Sequence, residues 1–156
     1  PTMITAPRIL TFSERDATTQ GFLFRRRNMS DKHSYNYAVI RIVPHVEREE
    51  FINAGVILFC KTRRYLESRI HLDVDRLRTI APAVDTDEIG EELEIIPRIC
   101  AGGSQAGPIG GESQSERFHW LTSSRSTVIQ TSPVHTGLCE DPEAELEELF
   151  DQLVLV

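Results

Sequence analysis

The run Ser132-Pro133-Val134-His135-Thr136-Gly137, with Cys139 just beyond it, gathers hydroxyls, an imidazole and a thiol in one short stretch. Hydroxyls and an imidazole beside backbone N–H groups suit an anion or ligand pocket. With Ser132 or Cys139 as nucleophile and His135 as base, the same set would suit attack on a phosphorylated or acyl substrate. No GxSxG elbow accompanies it, and nearness in sequence does not align a nucleophile with a base. The plainer alternative is a turn: Ser132 and Thr136 satisfy backbone groups, Pro133 fixes the chain, and Gly137 takes a positive φ. Cys139 lies just before a helix start, a place where a thiolate is stabilised.

A second set is Arg48-Glu49-Glu50-Phe51-Ile52-Asn53-Ala54-Gly55. Arg48 among Glu47, Glu49 and Glu50, with Asn53 to orient a ligand, has the makings of an acid–base cluster. Charges at the entrance to a strand also describe an exposed turn, and Asn53 with Gly55 suits a bulge. Arg125 is the remaining cation near the hydroxyl run. Candidate ligand or partner contacts are therefore Arg48, Glu50, Asn53, Arg125, Ser132, His135, Thr136 and Gly137.

Other temptations have weaker patterns. Five of the nine glycines fall at 102, 103, 107, 110 and 111. No lysine follows them as a P-loop requires, and the run follows a helix where a dinucleotide loop follows a strand. A flexible helix-to-strand connection is expected, long enough to serve as a lid. Cys60, Cys100 and Cys139 are about forty residues apart with no CxxC pair. His45, His71 and His119 are equally dispersed. Neither a metal site nor a cofactor is expected from such spacing.

The elements that must position these residues are legible. Tyr35 to Val43 alternates as a strand, with Tyr37, Val39, Arg41 and Val43 on one side and Ala38, Ile40 and Ile42 on the other. Pro44 stops it. After a polar connection or short helical turn, with Phe51 and Ile52 tucking under, VILFC reads as a strand buried on both faces. KTRR is a basic turn and YLESRIHL a third strand, so an antiparallel meander is expected. Asp73 or Asp75 caps a short helix. Asp85 with Glu88 opens another, carrying Ile89, Leu93 and Ile96 on one stripe. Pro97 kinks or restarts it and Gly102 ends it. RFHWL and STVIQT return to strand character. Asp141 and Pro142 start a final helix striped by Leu146, Leu149, Phe150 and Leu153. The predicted fold is α+β, a mainly antiparallel sheet with helices packed on one face, in a single domain over 29–156. Residues 1–28, with a possible hairpin and the Arg25-Arg26-Arg27 triplet, are expected to be an extension or a start-site artefact.

YAVIRIVPHVEREEFINAGVILFC, ICAGGSQAGPIG and RFHWLTSSRSTVIQTSPVHTGLCEDP occur in an order that resembles the bacterial family known as domain of unknown function 3037. The similarity spans about Tyr35 to Leu153. It implies a small bacterial cytoplasmic protein and carries no mechanism or catalytic residues. It also suggests an accessory role beside kinases similar to the HipA toxin.

Composition bounds the rest. A chain of 156 residues, 40% apolar and 26% charged, can bury one core without staples. No apolar run approaches the roughly 18 residues of a membrane span, and no secretory leader is legible. Three scattered cysteines suit a reducing cytoplasm, as small buried hydrophobes. Residues 1–78 hold 14 Lys and Arg against 9 Asp and Glu, and residues 79–156 hold 3 against 15. That dipole permits head-to-tail self-association or an anionic partner, though the acids also suit solvated helix faces and helix starts. A nucleic-acid binder using Arg25 to Arg27 with Arg63 and Arg64 is disfavoured by the acidic pI of 5.2. The leading expectation is a noncatalytic binding or accessory module for a protein partner or small anion. A small hydrolase or transferase is the alternative.

Overall fold

Residues 31–156 are described by the structure, a computed structural model, and the hairpin and arginine triplet expected before them lie outside the described residues. The alternating stretch at 33–42 forms strand β1 (His33–Ile42), paired antiparallel to β2 (Ile52–Cys60), which pairs antiparallel to β3 (Tyr65–Ile70). A one-turn 3₁₀ helix at Val46–Arg48 makes the first connection. The β1–β2 register slips between Ile40 and Arg41, where Ala54 is the extra residue, so the bulge falls between Asn53 and Gly55. Gly55 is required there, because a Cβ would come within 2.5 Å of the Arg69 carbonyl oxygen.

Four helices follow before the sheet resumes: α1 (Val74–Ile80), α2 (Thr86–Leu93), α3 (Ile95–Ala101) and α4 (Gln114–Leu121). Asp73 caps α1, and Asp85 caps α2 by accepting from the Asp87 and Glu88 N–H groups. The helix breaks at Glu94 and restarts, which puts Pro97 in the first turn of α3, where its missing N–H costs nothing. Gly102 closes α3 at φ +74°. Arg117 of α4 is buried and donates to the Ile99 and Cys100 carbonyls, so one helix caps the end of its neighbour.

The glycine-rich stretch joins helix to helix, in 3₁₀ turns over Ser104–Gly111, with Ala106 and Ile109 packed on the core. RFHWL is therefore helix α4 and not a strand. Ser113 accepts from the Glu116 N–H while the Glu116 carboxylate accepts from the Ser113 N–H, a complete capping box. Phe118 and Leu121 then share a buried face.

Strands β4 (Ile129–Thr131) and β5 (His135–Cys139) both pair antiparallel with β1, at Ile40–Ile42 and His33–Tyr37. They run end to end along one edge of it. The final helix α5 (Pro142–Leu153) starts from the Asp141 cap with Pro142 in its first turn, as the sequence predicts.

The architecture is the α+β class expected, with a five-stranded antiparallel sheet and five α-helices among the described residues. Helices α1–α4 cover one face, burying Leu77, Leu93 and Phe118 against Ile40, Ile57 and Phe59. Helix α5 departs from the one-face expectation. It packs Leu146 on the opposite face, over Tyr35, Val56 and Leu58. The reason lies in β2, whose consecutive residues are buried on both sides and need cover on both.

Candidate functional site

Helix α4 is tied to the end of α3 through Arg117, and residues 122–128 carry the chain from α4 into β4. Helix α4 stops where Thr122 returns its hydroxyl to the Phe118 carbonyl (2.9 Å) and Ser123 does the same to His119 (2.8 Å). These bonds compete with continued helix and release the chain. Arg125 then folds back. Its Nη2 donates to the Trp120 carbonyl (2.8 Å), and its guanidinium carbon lies 4.0 Å from the Trp120 ring centroid.

The result is a groove of about 330 Å³ walled by Ile95, Ile99, Trp120, Leu121 and Ile129, with Arg125 at its rim. Two of these walls are large apolar side chains left in contact with solvent: Ile95 is 47% exposed and Trp120 41%. Beyond them the apolar surface continues to Ala106 and Ile109. The volume is within the ordinary range for small-ligand pockets, roughly 300–1,000 Å³, which are mostly apolar with a few placed polar groups.

The residues expected to form a site are dispersed by comparison. Arg48 pairs with Glu50 at 2.8 Å on the exposed 3₁₀ turn. Asn53 donates from Nδ2 to the Leu153 carbonyl (3.0 Å), holding the end of α5. Ser132 is 2% exposed and built into the ladder. Its backbone N–H donates to the Val39 carbonyl (2.8 Å), its Oγ accepts from the Val39 N–H (2.9 Å), and the hydroxyl donates to the Pro133 carbonyl (2.9 Å). The side chain thus stands in for a backbone acceptor where the β4–β5 register slips and proline interrupts the strand.

His135 lies on β5 with its ring centroid 5.2 Å from that of Tyr37. Thr136 donates its hydroxyl to Oδ1 of Asn36 at 3.0 Å. Gly137 is in β5 with no positive φ, contrary to the turn expected of it. Its need for glycine is a close approach: a Cβ would come within 2.5 Å of the Tyr35 ring and hydroxyl. Tyr35 donates that hydroxyl to Glu145 of α5, and burial followed by this bond raises its pKa. Phe51, expected to tuck under the sheet, instead lies exposed beneath the Arg41 guanidinium, 4.3 Å from ring centroid to Cζ.

All three cysteines are buried and free. Burial first, then the neighbouring Cys60, Glu145 and Asp141, pushes the Cys139 thiol up to about 11. The helix start therefore does not make it a thiolate. Burial pushes Cys100 up to about 11 as well. Among the described residues no three His, Cys, Asp or Glu side chains are grouped as metal ligands, and no helix is long and apolar enough to cross a membrane.

Of the eight residues that the sequence nominates as ligand contacts, Arg125 alone lines the groove, and Trp120 and Ile95 are not among the eight. The signal for them is Ser113-x-x-Glu116, a capping-box spacing that announces α4 and turns RFHWL into a helix end. Fold and groove together define an α+β domain with a pocket of small-ligand size beside an edge strand. The chain belongs to the family described as protein of unknown function (DUF3037), whose model matches residues 37–154. No curated protein and no solved structure matches it.

Proposed function

We propose that this domain is a noncatalytic binding module, and that its ligand is a small molecule with an apolar body lying in the groove between α3, α4 and β4. The observation that carries this reading is the groove itself: an apolar hollow of about 330 Å³ with solvent-exposed Trp120 on its wall and Arg125 at its rim. Its volume lies within the range of small-ligand pockets, roughly 300–1,000 Å³.

The enzyme alternative, with Ser132 or Cys139 as nucleophile and His135 as base, has less to support it. The Ser132 hydroxyl is engaged as both donor and acceptor in the ladder, and the Cys139 thiol is held protonated by burial. Three free cysteines fit a reducing compartment such as the bacterial cytoplasm. The HipA-like kinase association suggested by the family resemblance makes such a kinase the first protein to test as a partner of the ligand-bound form.

Trp120 is the sole tryptophan, so its emission reports the groove without a label. Octanol should quench or shift that emission saturably. Ile95→Glu, a change at an exposed position, should abolish the response at an unchanged melting temperature. An emission spectrum indifferent to octanol, or a response that survives Ile95→Glu, contradicts the groove as the binding surface.

A further inference from the structure

The groove does not end at Arg125. Arg125 and Gln130 also line a second hollow, about 300 Å³, in which they are joined by Arg41, Glu49, Phe51 and Ser126. Gln130 is the register partner of Arg41, so the two side chains share a face of the sheet, the one on which Tyr35 and Tyr37 meet α5. Arg125 and Gln130 line both hollows, so the notch and the apolar groove adjoin at β4, the strand beside β1 at the edge of the sheet.

Each arginine of the notch has its guanidinium carbon over an aromatic ring, Arg41 over Phe51 at 4.3 Å and Arg125 over Trp120 at 4.0 Å from the centroid. Such a contact leaves N–H groups at the edge of a guanidinium for a planar acceptor, and Arg125 gives one of its five, on Nη2, to the Trp120 carbonyl. Among the described residues the ion pairs are made by Arg48 and Arg69, and neither Arg41 nor Arg125 has a carboxylate within pairing distance. Among the described residues Arg41 Nε is buried without a hydrogen-bond partner, and so is Oδ1 of Asn53, its neighbour across β1 and β2. Buried donors without acceptors are uncommon and costly, which marks this corner as a place for a bound acceptor. Two cations lining one hollow also repel until an anion lies between them.

We infer that the notch is an oxyanion subsite and that the groove's ligand is an amphipathic carboxylic acid. Arg41 and Arg125 hold its carboxylate, the Ser126 hydroxyl and Gln130 amide are within the same hollow, and its apolar body runs past Arg125 and Gln130, which line both hollows, to lie against Trp120 and Ile95. Glu49 also lines the notch. Its carboxylate opposes added negative charge, which favours a singly charged head over a phosphate dianion. The inference rests on the groove reading and adds the chemical class of what the groove holds.

The test compares octanoate, octanol and octyl phosphate at pH 7.5 by Trp120 emission in the full chain. Octanoate is expected to bind about tenfold more tightly than octanol, as charge-assisted hydrogen bonds would give, and more tightly than octyl phosphate. Arg41→Gln should remove the octanoate advantage while leaving octanol affinity unchanged. Should Arg41→Gln fail to fold, Arg125→Gln should likewise remove the octanoate advantage, read as the ratio of octanoate to octanol affinity in that variant, since Arg125 also lines the groove. Glu49→Gln should bind octyl phosphate more tightly than the parent. Equal affinities for octanoate and octanol, or an advantage indifferent to both arginine changes, overturn the oxyanion subsite and leave the groove reading standing. A preference for octyl phosphate overturns the carboxylate assignment. Failure of all three probes overturns groove and subsite together.

Discussion

Along β5 and the connection leading into it, polar groups are engaged with partners: Ser132 with the Val39 backbone, Thr136 with Asn36, and Tyr35 of the neighbouring β1 with Glu145. Around the β4 corner, Arg41 and Arg125 lean on aromatic rings and have no carboxylate in pairing distance among the described residues. Both regions are rich in residue types that do chemistry. The difference teaches that residue type nominates a site and hydrogen-bond occupancy decides it. A hydroxyl that completes a buried ladder cannot leave it to attack a substrate without exposing a backbone N–H.

Breaking the β5 side should cost stability. Gly137→Ala should have the largest effect, because the added Cβ meets the Tyr35 ring at 2.5 Å. That ring cannot step aside cheaply, being buried and tied to Glu145. A loss of about 2–3 kcal/mol is expected from such overpacking, read as the midpoint of urea unfolding. A midpoint equal to that of the parent would show that Tyr35 is free to move. Ser132→Ala should cost somewhat less, about 1–2 kcal/mol, by leaving the buried Val39 N–H without its acceptor. Octanol binding at the groove should be untouched. A variant of full stability with lost binding would reverse the comparison and return Ser132 to the site.

The thiols sharpen it at smaller amplitude. Cys100 and Cys139 are held protonated in the fold up to about 11, whereas an unfolded thiol ionises near 8.5. The folded state therefore binds more protons between those values. Their contribution is fully present below about pH 8.5 and is lost as pH rises toward 11. Chemical unfolding across this window should show stability falling, and Cys100→Ser with Cys139→Ser should flatten the fall. At pH 7.5 both thiols should react with a disulfide reagent far more slowly in the native protein than in urea. Rapid native labelling of Cys139 would revive it as a reactive group.

Much of the frame is legible in the sequence because its signals are local. Alternation from Tyr35, the stop at Pro44, and the Asp141-Pro142 start each act within a few residues, and each appears where expected. Helix α4 is hidden because Phe118, His119 and Trp120 read as a strand by pattern and aromatic content, while its capping box sits in a polar stretch that reads as loop. Cover on both faces is implicit in VILFC, since a strand buried on both sides needs a layer on each, yet the helix count does not say which helix crosses over. Arg41 is legible only as one member of an alternating strand. Its role depends on Gln130 and Arg125, more than eighty positions away in the chain, and no spacing rule spans that distance.

The central claim is that ligand contact belongs to the β4 corner and not to the 132–137 run. One two-dimensional ¹⁵N NMR titration with octanoate tests both at once, since Trp120 supplies the sole indole N–H. The account predicts that the indole signal and the amides of Ile95, Ser123, Arg125 and Gln130 shift together, while those of Ser132, His135 and Gly137 stay in place. Shifts concentrated at Ser132 to Gly137 with an unmoved indole would contradict it.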